Sequence, residues 1–391
     1  MIALSFIGVS NYQETTYSYK NKIIKTKLFP YAFYKFTEPS KLYVIMTKKA
    51  KDAHAKELSK VCTFQELLIP DGKTENEIWQ MFDLITDVIP ANEKVIFDIT
   101  HGFRSQPFIV IVLLLYLKAL KNIKINNIIY GAFEAKDENN ITPVFELKSF
   151  IDLIDWSNAV REFTENGNMK YFNNLLSEIH KNSYLKKLPN PSKELKGAGV
   201  DLSKLTDAFA TIRLKEIFQN SYHFNQRLEI LKTDLENNPQ AKPFGTLISK
   251  ISKQFEAISK AEKNIFSDKG FIAQKSILQW YVETSKYQKA ITLAREYIIS
   301  KYLLEISKED TKYLLNKNKR LKTTNELGQL LKLRQSGSKA KNRKSEYVNL
   351  WSKITDMRND INHAGMKKNP TPSRALIDNI TEIIKTIVEK F

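Results

Sequence analysis

The sequence predicts an α/β domain with a mostly parallel, doubly wound sheet, followed by an all-α region. Nearly continuous apolar runs, typical of strands buried on both faces, alternate with helical patterns over about the first 150 residues. Beyond residue 151 these runs stop, and helical periods continue to Phe391. Only 12 of the 391 residues are glycine, which favours long regular elements over a loop-rich β fold. We therefore expect two domains, at residues 1–151 and 152–391.

The first domain opens with the apolar run MIALSFIGV, which predicts a buried strand. Three similar runs follow, at residues 42–47, 95–99 and 125–134. Two helical patterns lie between them, at residues 76–88 and 105–120. Accessory strands are expected at residues 17–26 and 143–147. The helix over residues 107–117 is apolar all round, so we expect one side on the sheet and the other on a partner.

Several classes of protein are excluded by composition. Cys62 is the single cysteine, which rules out a disulfide framework and a cysteine-based zinc site. The longest apolar stretch has about eleven residues, whereas a membrane span needs about 20. No signal-peptide pattern is present at the start of the sequence. We expect a cytoplasmic protein that does not contact a membrane.

The net charge of +18 is unevenly distributed. Residues 1–150 carry 19 basic and 16 acidic side chains, whereas residues 151–391 carry 42 and 27. Most basic residues are lysines, and a compositional bias toward lysine would raise the charge without any ligand. Such a bias should act on both parts alike. The charge of +15 on the second part therefore indicates a polyanionic partner there, such as RNA.

A first group of candidate residues follows predicted strands, where open α/β sheets bind ligands. The segment Asp98-Ile-Thr-His-Gly-Phe-Arg-Ser105 ends one strand and begins a helix, with Ser105 a plausible N-cap. Free amides at the Gly102 turn, together with polar and basic side chains, would suit a phosphate-bearing ligand. For Asp98, the alternative of bracing the loop is favoured. No nucleotide-binding glycine motif is present, so ATP hydrolysis and dinucleotide redox chemistry are poorly supported. No third ligand accompanies Asp98 and His101, so we expect no metal.

A second group lies late in the helical part. Apolar residues from Val348 to Ile361 have helical spacing, and Gly365 is placed to stop the helix as the C′ residue. Arg358 and His363 are about 140° apart on an ideal helix, so two such helices meeting across a dyad would combine them more easily. Histidine can transfer protons near neutral pH, and arginine can stabilise phosphate charge. The pair therefore has the chemistry for metal-free RNA cleavage.

Together these motifs resemble those of a known protein family. Asp98-x-Thr-His-Gly102 is similar to the signature of CRISPR-associated CARF proteins, which have a Rossmann-like domain. Arg358-Asn359-x3-His363 is similar to the active-site motif of HEPN ribonucleases. Their order and spacing resemble the CARF–HEPN ribonucleases of type III CRISPR systems, and the resemblance covers essentially the whole chain.

The resemblance implies a homodimer, or a higher oligomer, that binds a cyclic oligoadenylate and then cuts single-stranded RNA without a metal. Cyclic tetra-adenylate is the expected activator, although the residues do not fix the ring size. Arg358 would stabilise phosphate charge, His363 would be the general acid/base, and Asn359 would orient them. The implied activator contacts are Gly8, Ser10, Asn11, Thr47, Lys48, Thr100, His101, Gly102, Arg104 and Ser105. Of these, Thr47 and Lys48 are placed by topology only.

Other interpretations stay open at this point. The protein could be a ligand-responsive regulator whose helical part binds DNA or a protein. The first domain could also cleave its own activator slowly, with His101 or Ser10 assisting. The basic segment 334–344 is a solvated loop or a further contact for the RNA backbone.

Overall fold

The computed structural model describes residues 1–102, 105–261, 263–335 and 343–391. These residues form two compact units, Met1–Ile154 and Asp155–Phe391. The division falls inside one continuous helix, three residues after the end expected for the first domain. A helical pattern that continues across a division gives no local signal of where one unit ends.

Within the described residues, the first unit contains one eight-stranded sheet. Five neighbouring strands are parallel, in the order β5-β4-β1-β6-β7, and β8, β2 and β3 extend the sheet beyond β7. The pairs β7–β8 and β2–β3 are antiparallel, whereas β2–β8 is parallel. The strands are β1 (Ile2–Ile7), β2 (Thr15–Tyr19), β3 (Lys22–Thr26), β4 (Lys41–Met46), β5 (Gln65–Leu68), β6 (Lys94–Asp98), β7 (Lys124–Gly131) and β8 (Ile141–Glu146).

The strand order reverses at β1. The next parallel strand of the chain, β4, lies on one side of β1, and the later β6 lies on the other. The loops that leave β1 and β6 therefore diverge and open a crevice beyond their carboxyl ends, which is the usual ligand position in such sheets. The fold thus places the first candidate site between these two loops.

Helices cover both faces of the sheet and give two separate apolar cores. On α5, Val110, Leu113 and Leu117 are fully buried, whereas Phe108 and Leu120 are 72% and 60% exposed. The helices of this unit are α1 (Phe29–Thr37), α2 (Lys48–Ala50), a π-helical turn (Lys51–Ala55), α3 (Lys56–Leu58), α4 (Glu75–Asp87) and α5 (Gln106–Lys121), and a 3-10 turn spans Phe133–Ala135.

The second unit is helical throughout its described residues and has one continuous apolar core rich in aromatic side chains. None of the helices in the described part of the chain is long and apolar enough to cross a membrane. The helices are α6 (Lys148–Asn166), which begins in the first unit, α7 (Lys170–Leu185), α8 (Leu195–Ala210), α9 (Leu214–Asn237), α10 (Lys242–Lys260), α11 (Asp268–Glu283), α12 (Tyr287–Glu305), α13 (Lys317–Gln335), α14 (Arg343–Asn362) and α15 (Ser373–Lys390), with 3-10 turns at Pro239–Ala241 and Thr311–Tyr313.

Candidate functional sites

A pocket of about 350 Å³ lies where the loops after β1 and β6 meet. It occupies the crevice that the strand order creates, and the end of β7 closes one side. Six residues that the sequence suggested as activator contacts line this pocket, namely Gly8, Ser10, Asn11, Thr100, His101 and Gly102.

Asp98 holds the loop after β6 in place. Its Oδ1 accepts hydrogen bonds from the Thr100 amide at 2.8 Å and the Thr100 hydroxyl at 2.5 Å, and its Oδ2 accepts from the Ser5 hydroxyl at 2.5 Å. The Thr100 hydroxyl also accepts the Gly131 amide at 2.8 Å, which ties β6 to β7. Asp98 is fully buried and outside the pocket lining. These contacts favour the role of Asp98 in bracing the loop. They also occupy the Thr100 hydroxyl, which donates to Asp98 and accepts from the Gly131 amide.

Tyr12 joins the two loops. Its ring stacks on His101 with centroids 3.7 Å apart, and its hydroxyl accepts the Gly8 amide at 2.8 Å. His54 also lies close, with its ring centroid 5.1 Å from that of Tyr12 and its Nε2 3.0 Å from the Ser10 carbonyl oxygen. His54 belongs to the π-helical turn, a geometry often found near functional sites. A Cβ at Gly8 would lie 3.1 Å from the Tyr12 hydroxyl, so a side chain there would require Tyr12 to shift by a few tenths of an ångström.

His101 is held as a neutral ring. The Phe29 amide donates to its Nε2 at 3.2 Å. Burial lowers the pKa of His101 to about 3, against a smaller raising effect of the Lys27 backbone. The ring therefore adds no positive charge to the pocket at neutral pH. These contacts favour a positioning role for His101.

The remaining predicted contacts lie elsewhere or outside the described residues. Thr47 and Lys48 do not line the pocket, and the Thr47 hydroxyl instead accepts the Ala50 amide and caps α2. Ser105 is the N-cap residue of α5, as expected, but its side chain makes no capping hydrogen bond. Arg104 is outside the described residues. The Gly102 amide, expected to be free for an anion, donates to the Ile99 carbonyl at 3.4 Å.

Several lining residues were not predicted from the sequence. Tyr12 could have been predicted as a pocket residue, since it directly follows the predicted loop. The residues around β7 could not, because only the strand order brings them next to the pocket. The pocket residues outside the predicted set are Tyr12, Gln13, Tyr17, Tyr130, Gly131, Phe133 and Glu134.

The second candidate site lies at the end of α14. Arg358 is partly exposed, whereas Asn359 and His363 are exposed. The Arg358 Nη1 lies 3.4 Å from Asn359 Oδ1, a long hydrogen bond that leaves the guanidinium accessible. All three side chains therefore reach solvent at one end of one helix, where a phosphate could approach them.

The backbone after His363 ends the helix by a Schellman motif. The Ala364 amide donates to Ile361 at 3.0 Å, and the Gly365 amide donates to Asp360 at 2.8 Å. Ala364, with φ of 53°, is therefore the C′ residue, and Gly365, with φ of 70°, is the C″ residue. This corrects the expectation that Gly365 is C′. The pattern suggested glycine because it adopts left-handed geometry most easily.

Asp360 anchors the segment that follows this helix end. Its Oδ2 pairs with Lys367 Nζ at 2.9 Å and accepts the Thr371 amide at 3.3 Å. The hydrogen bond from Lys367 is the main reason that the pKa of Asp360 is lowered. At the same end, Gln288 of α12 donates to Asn362 at 3.3 Å. His363 therefore follows a helix end that is hydrogen-bonded to α12, and it precedes a segment that is held by Asp360.

Within the described ranges, no group of three or more histidine, cysteine, aspartate or glutamate side chains has the arrangement to hold a metal ion. The candidate groups at the end of α14 are an arginine, an amide and an imidazole.

Comparison with known proteins gives one informative similarity. No protein-family model matches the sequence. CRISPR-associated protein MJ1674 of Methanocaldococcus jannaschii is 27% identical to this chain over 225 residues. The similarity covers 56% of this chain and 31% of the relative, so the chain spans about a third of the length of that protein. The sequence is therefore similar to that of a CRISPR-associated protein, which supports a CRISPR-related role.

Proposed function

We propose that this protein is a cyclic-oligoadenylate-activated, metal-independent endoribonuclease that cuts single-stranded RNA in type III CRISPR antiviral defence. The observation that carries the proposal is the grouping of Arg358, Asn359 and His363 at the exposed end of α14. The CRISPR-associated relative and the basic second part of the sequence support it.

The proposed reaction is an attack within the RNA. One imidazole takes the proton from a 2′-hydroxyl, and the 2′-oxygen forms a bond to the adjacent phosphorus. The bond from phosphorus to the 5′-oxygen breaks, and that oxygen takes a proton from a second imidazole. The products are a 2′,3′-cyclic phosphate and a 5′-hydroxyl. Arg358 stabilises the charge that develops on the phosphate oxygens, and Asn359 orients the arginine.

A second copy of the chain supplies the second imidazole in this scheme. Each chain has one His363, whereas the reaction uses both a base and an acid. The outer side of α5 supports dimer formation, because Phe108, Val112, Tyr116 and Leu120 recur every four residues and are all 46% exposed or more. We propose that a second copy covers this stripe, which light scattering in solution can test.

The activator is proposed to bind the pocket after β1 and β6. Its position at the reversal of strand order is where open α/β sheets take ligands, and two tethered loops enclose it. Residues that line it come from the ends of three strands, so occupancy can change how these ends are held relative to one another.

An RNA cleavage assay in EDTA tests the proposal. Wild-type protein is incubated with labelled single-stranded RNA and cyclic tri-, tetra- or hexa-adenylate. We expect cleavage with one of these rings, and loss of at least 100-fold in rate for His363→Ala with unchanged activator binding.

The matched control is His223→Ala, which removes an exposed imidazole from α9 in the same unit and should cleave at the wild-type rate. Undiminished cleavage by His363→Ala would disprove the assigned chemistry. Sequence-specific duplex binding without any RNA cleavage would instead favour a regulator.

A further inference from the structure

The pocket after β1 and β6 is unsuited to phosphate at its described surface. Of the described residues that line it, Glu134 is the one with a formal charge at neutral pH, because His101 is neutral. A second carboxyl, Asp98, lies behind the lining. The pKa of Tyr17 is raised by burial first and then by negative charge, with contributions from both carboxyl groups. A phosphate placed here would meet the negative charge of Glu134, so the pocket suits an uncharged part of a ligand.

The walls of the pocket are suited to a flat ring. Tyr130 and Phe133 line it and are partly exposed, whereas the Tyr12 ring is already stacked on His101. Aromatic side chains are common stacking surfaces for nucleobases, and stacking is tolerant of base identity. Affinity for a base can therefore come from these walls, while discrimination between bases must come from polar groups.

The polar groups that face the ligand include one oriented acceptor. The Tyr130 hydroxyl donates to Glu134 Oε2 at 2.8 Å, which fixes the direction of an otherwise exposed carboxylate. An ionised carboxylate only accepts hydrogen bonds. Adenine offers a donor in its 6-amino group and an acceptor at N7, and the amides of Asn11 and Gln13 in the same lining can pair with that edge.

We infer that Glu134 accepts a hydrogen bond from the 6-amino group of an adenine base and sets the preference of this pocket for amino-bearing purines. The inference rests on the proposed function in taking a cyclic oligoadenylate as the ligand. It adds that this pocket receives a base rather than a phosphate, and it names the residue that selects the base.

Purine riboside is the informative comparison, because it differs from adenosine by the missing amino group and keeps N1, N7 and the ring. Binding of adenosine and purine riboside to the full chain is measured by ligand-observed NMR. Binding of cyclic tetra-adenylate and its purine-riboside counterpart is measured by calorimetry. We expect the amino-bearing member of a pair to bind about tenfold more tightly or better, since a hydrogen bond to a charged group is lost without it.

The variants separate the carboxylate from its surroundings. Glu134→Ala should abolish the preference, and Tyr130→Phe should weaken it, because the carboxylate loses the hydroxyl that orients it. Glu138→Ala is the matched control, as Glu138 is exposed and does not line the pocket, and it should keep the wild-type preference. Urea unfolding confirms that each variant is folded.

The outcomes distinguish this inference from the proposed function. A preference for adenosine that depends on Glu134, without binding of any cyclic oligoadenylate, would support the inference and overturn the proposed function. Activation by cyclic oligoadenylate with equal binding of the purine-riboside counterpart, or a preference that persists in Glu134→Ala, would overturn the inference alone. No preference and no cyclic-oligoadenylate binding would overturn both.

Discussion

Two titratable side chains at the end of β6, the fully buried Asp98 and the partly buried His101, have opposite pKa shifts. Burial raises the pKa of Asp98 to about 7, against the lowering effect of hydrogen bonds from Ser5 and Thr100. Burial lowers the pKa of His101 to about 3. Between pH 3.8 and 7 the folded state holds the Asp98 proton that the unfolded chain releases, so stability falls as pH rises. Between pH 3 and 6.5 the unfolded chain holds the His101 proton, so stability rises with pH.

These opposing dependences give the prediction for Asp98→Asn. Asparagine can still accept from Thr100 and can donate to Ser5, so the loop should keep its geometry. The substitution removes the Asp98 contribution to stability, which falls as pH rises, and keeps the His101 contribution, which rises. Relative to wild type, the free energy of unfolding of the first unit should rise with pH between about 4 and 7, by up to about 1.4 kcal/mol per pH unit. Urea unfolding followed by circular dichroism at several pH values measures it.

Asp98→Ala is the informative companion variant. It leaves the Ser5 and Thr100 groups without their buried acceptor, so it should destabilise the unit by about 2–4 kcal/mol at acid pH and by less as the pH approaches 7. Matching pH profiles for Asp98→Asn and the wild type would show that Asp98 does not titrate as described.

The sequence predicts the pocket residues that directly follow an apolar run, but not those that only the strand order brings to the pocket. Gly8 and Ser10 follow one apolar run, and Thr100 and His101 follow another, so a rule about strand ends finds them. Glu134 and Tyr130 come from a strand end that the sequence pattern also shows, but nothing local places it beside the other two. Their role depends on the spatial order of the strands. Helical spacing likewise finds Arg358 and His363 but not the tether at Asp360.

At the scale of elements, the sequence pattern does not reveal β5 or α1. Gln65, Glu66 and Leu68 of β5 are exposed, so this edge strand has too short and too polar a pattern to stand out. In α1, five of the nine residues are buried, and neither a capping side chain nor an acidic residue marks the first turn, so Pro30 is the one signal of a helix start there. Both elements are specified by packing against the sheet.

Helix α8 is capped from another helix. Its own N-cap residue, Glu194, makes no capping hydrogen bond with its side chain. Instead, Asp234 of α9 accepts the amides of Lys193, Glu194 and Leu195 at 2.7, 2.6 and 3.2 Å. Asp234→Ala should lower the free energy of unfolding of the second unit by about 2–3 kcal/mol, because buried amides lose their acceptor.

The controls for this cap come from the same helix. Asp234→Asn keeps one acceptor oxygen and should cost less than alanine. Glu229→Ala removes an exposed carboxylate that pairs with Lys232 at the surface, and it should change stability by under about 0.5 kcal/mol. Equal losses for Asp234→Ala and Glu229→Ala would contradict the capping role.

The end of α14 is strained at one residue. Ala364 has a left-handed φ of 53°, which costs a residue with a Cβ roughly 1–2 kcal/mol relative to glycine. The Ala364 side chain is exposed, so little packing would be lost. Ala364→Gly should therefore raise the free energy of unfolding of the second unit by about 1 kcal/mol, which chemical denaturation can detect. Gly365→Ala, at φ of 70°, should lower it, and a destabilised Ala364→Gly would refute this description of the helix end.

At the scale of the whole molecule, the two parts differ in charge as well as in fold. The sheet-bearing part is nearly neutral and has an acidic pocket, whereas residues 151–391 carry a charge of +15. This division fits the proposed function, in which the first part recognises a small ligand by geometry and the second holds RNA through its backbone. It also explains why a net charge for the whole chain says little about either function.

The basic charge near the proposed catalytic residues gives the prediction at this scale. Helices α12 and α14 are antiparallel, since Gln288 donates to Asn362 and Tyr347 donates to Glu305. Helix α13 runs in the same direction as α12, with Arg320 paired to Glu296 and Glu326 accepting from Tyr302. The start of α13, with exposed Lys317 and Lys322, therefore lies toward the end of α14 that carries Arg358. In a His363→Ala background, which prevents cleavage, Lys317→Gln/Lys322→Gln should weaken RNA binding. It should also flatten the slope of log affinity against log salt by about 1.4, the loss of two phosphate contacts on a single strand.

A pair of lysines in the first unit provides the control for this measurement. Lys94 and Lys124 lie opposite each other on β6 and β7, at the amino ends of these strands, and both are exposed. Lys94→Gln/Lys124→Gln removes the same charge from the whole molecule. If RNA affinity depends on contacts near α14, the control keeps the wild-type salt slope. If it depends only on net charge, both double variants lose affinity equally, and the assignment of RNA binding to the second unit is wrong.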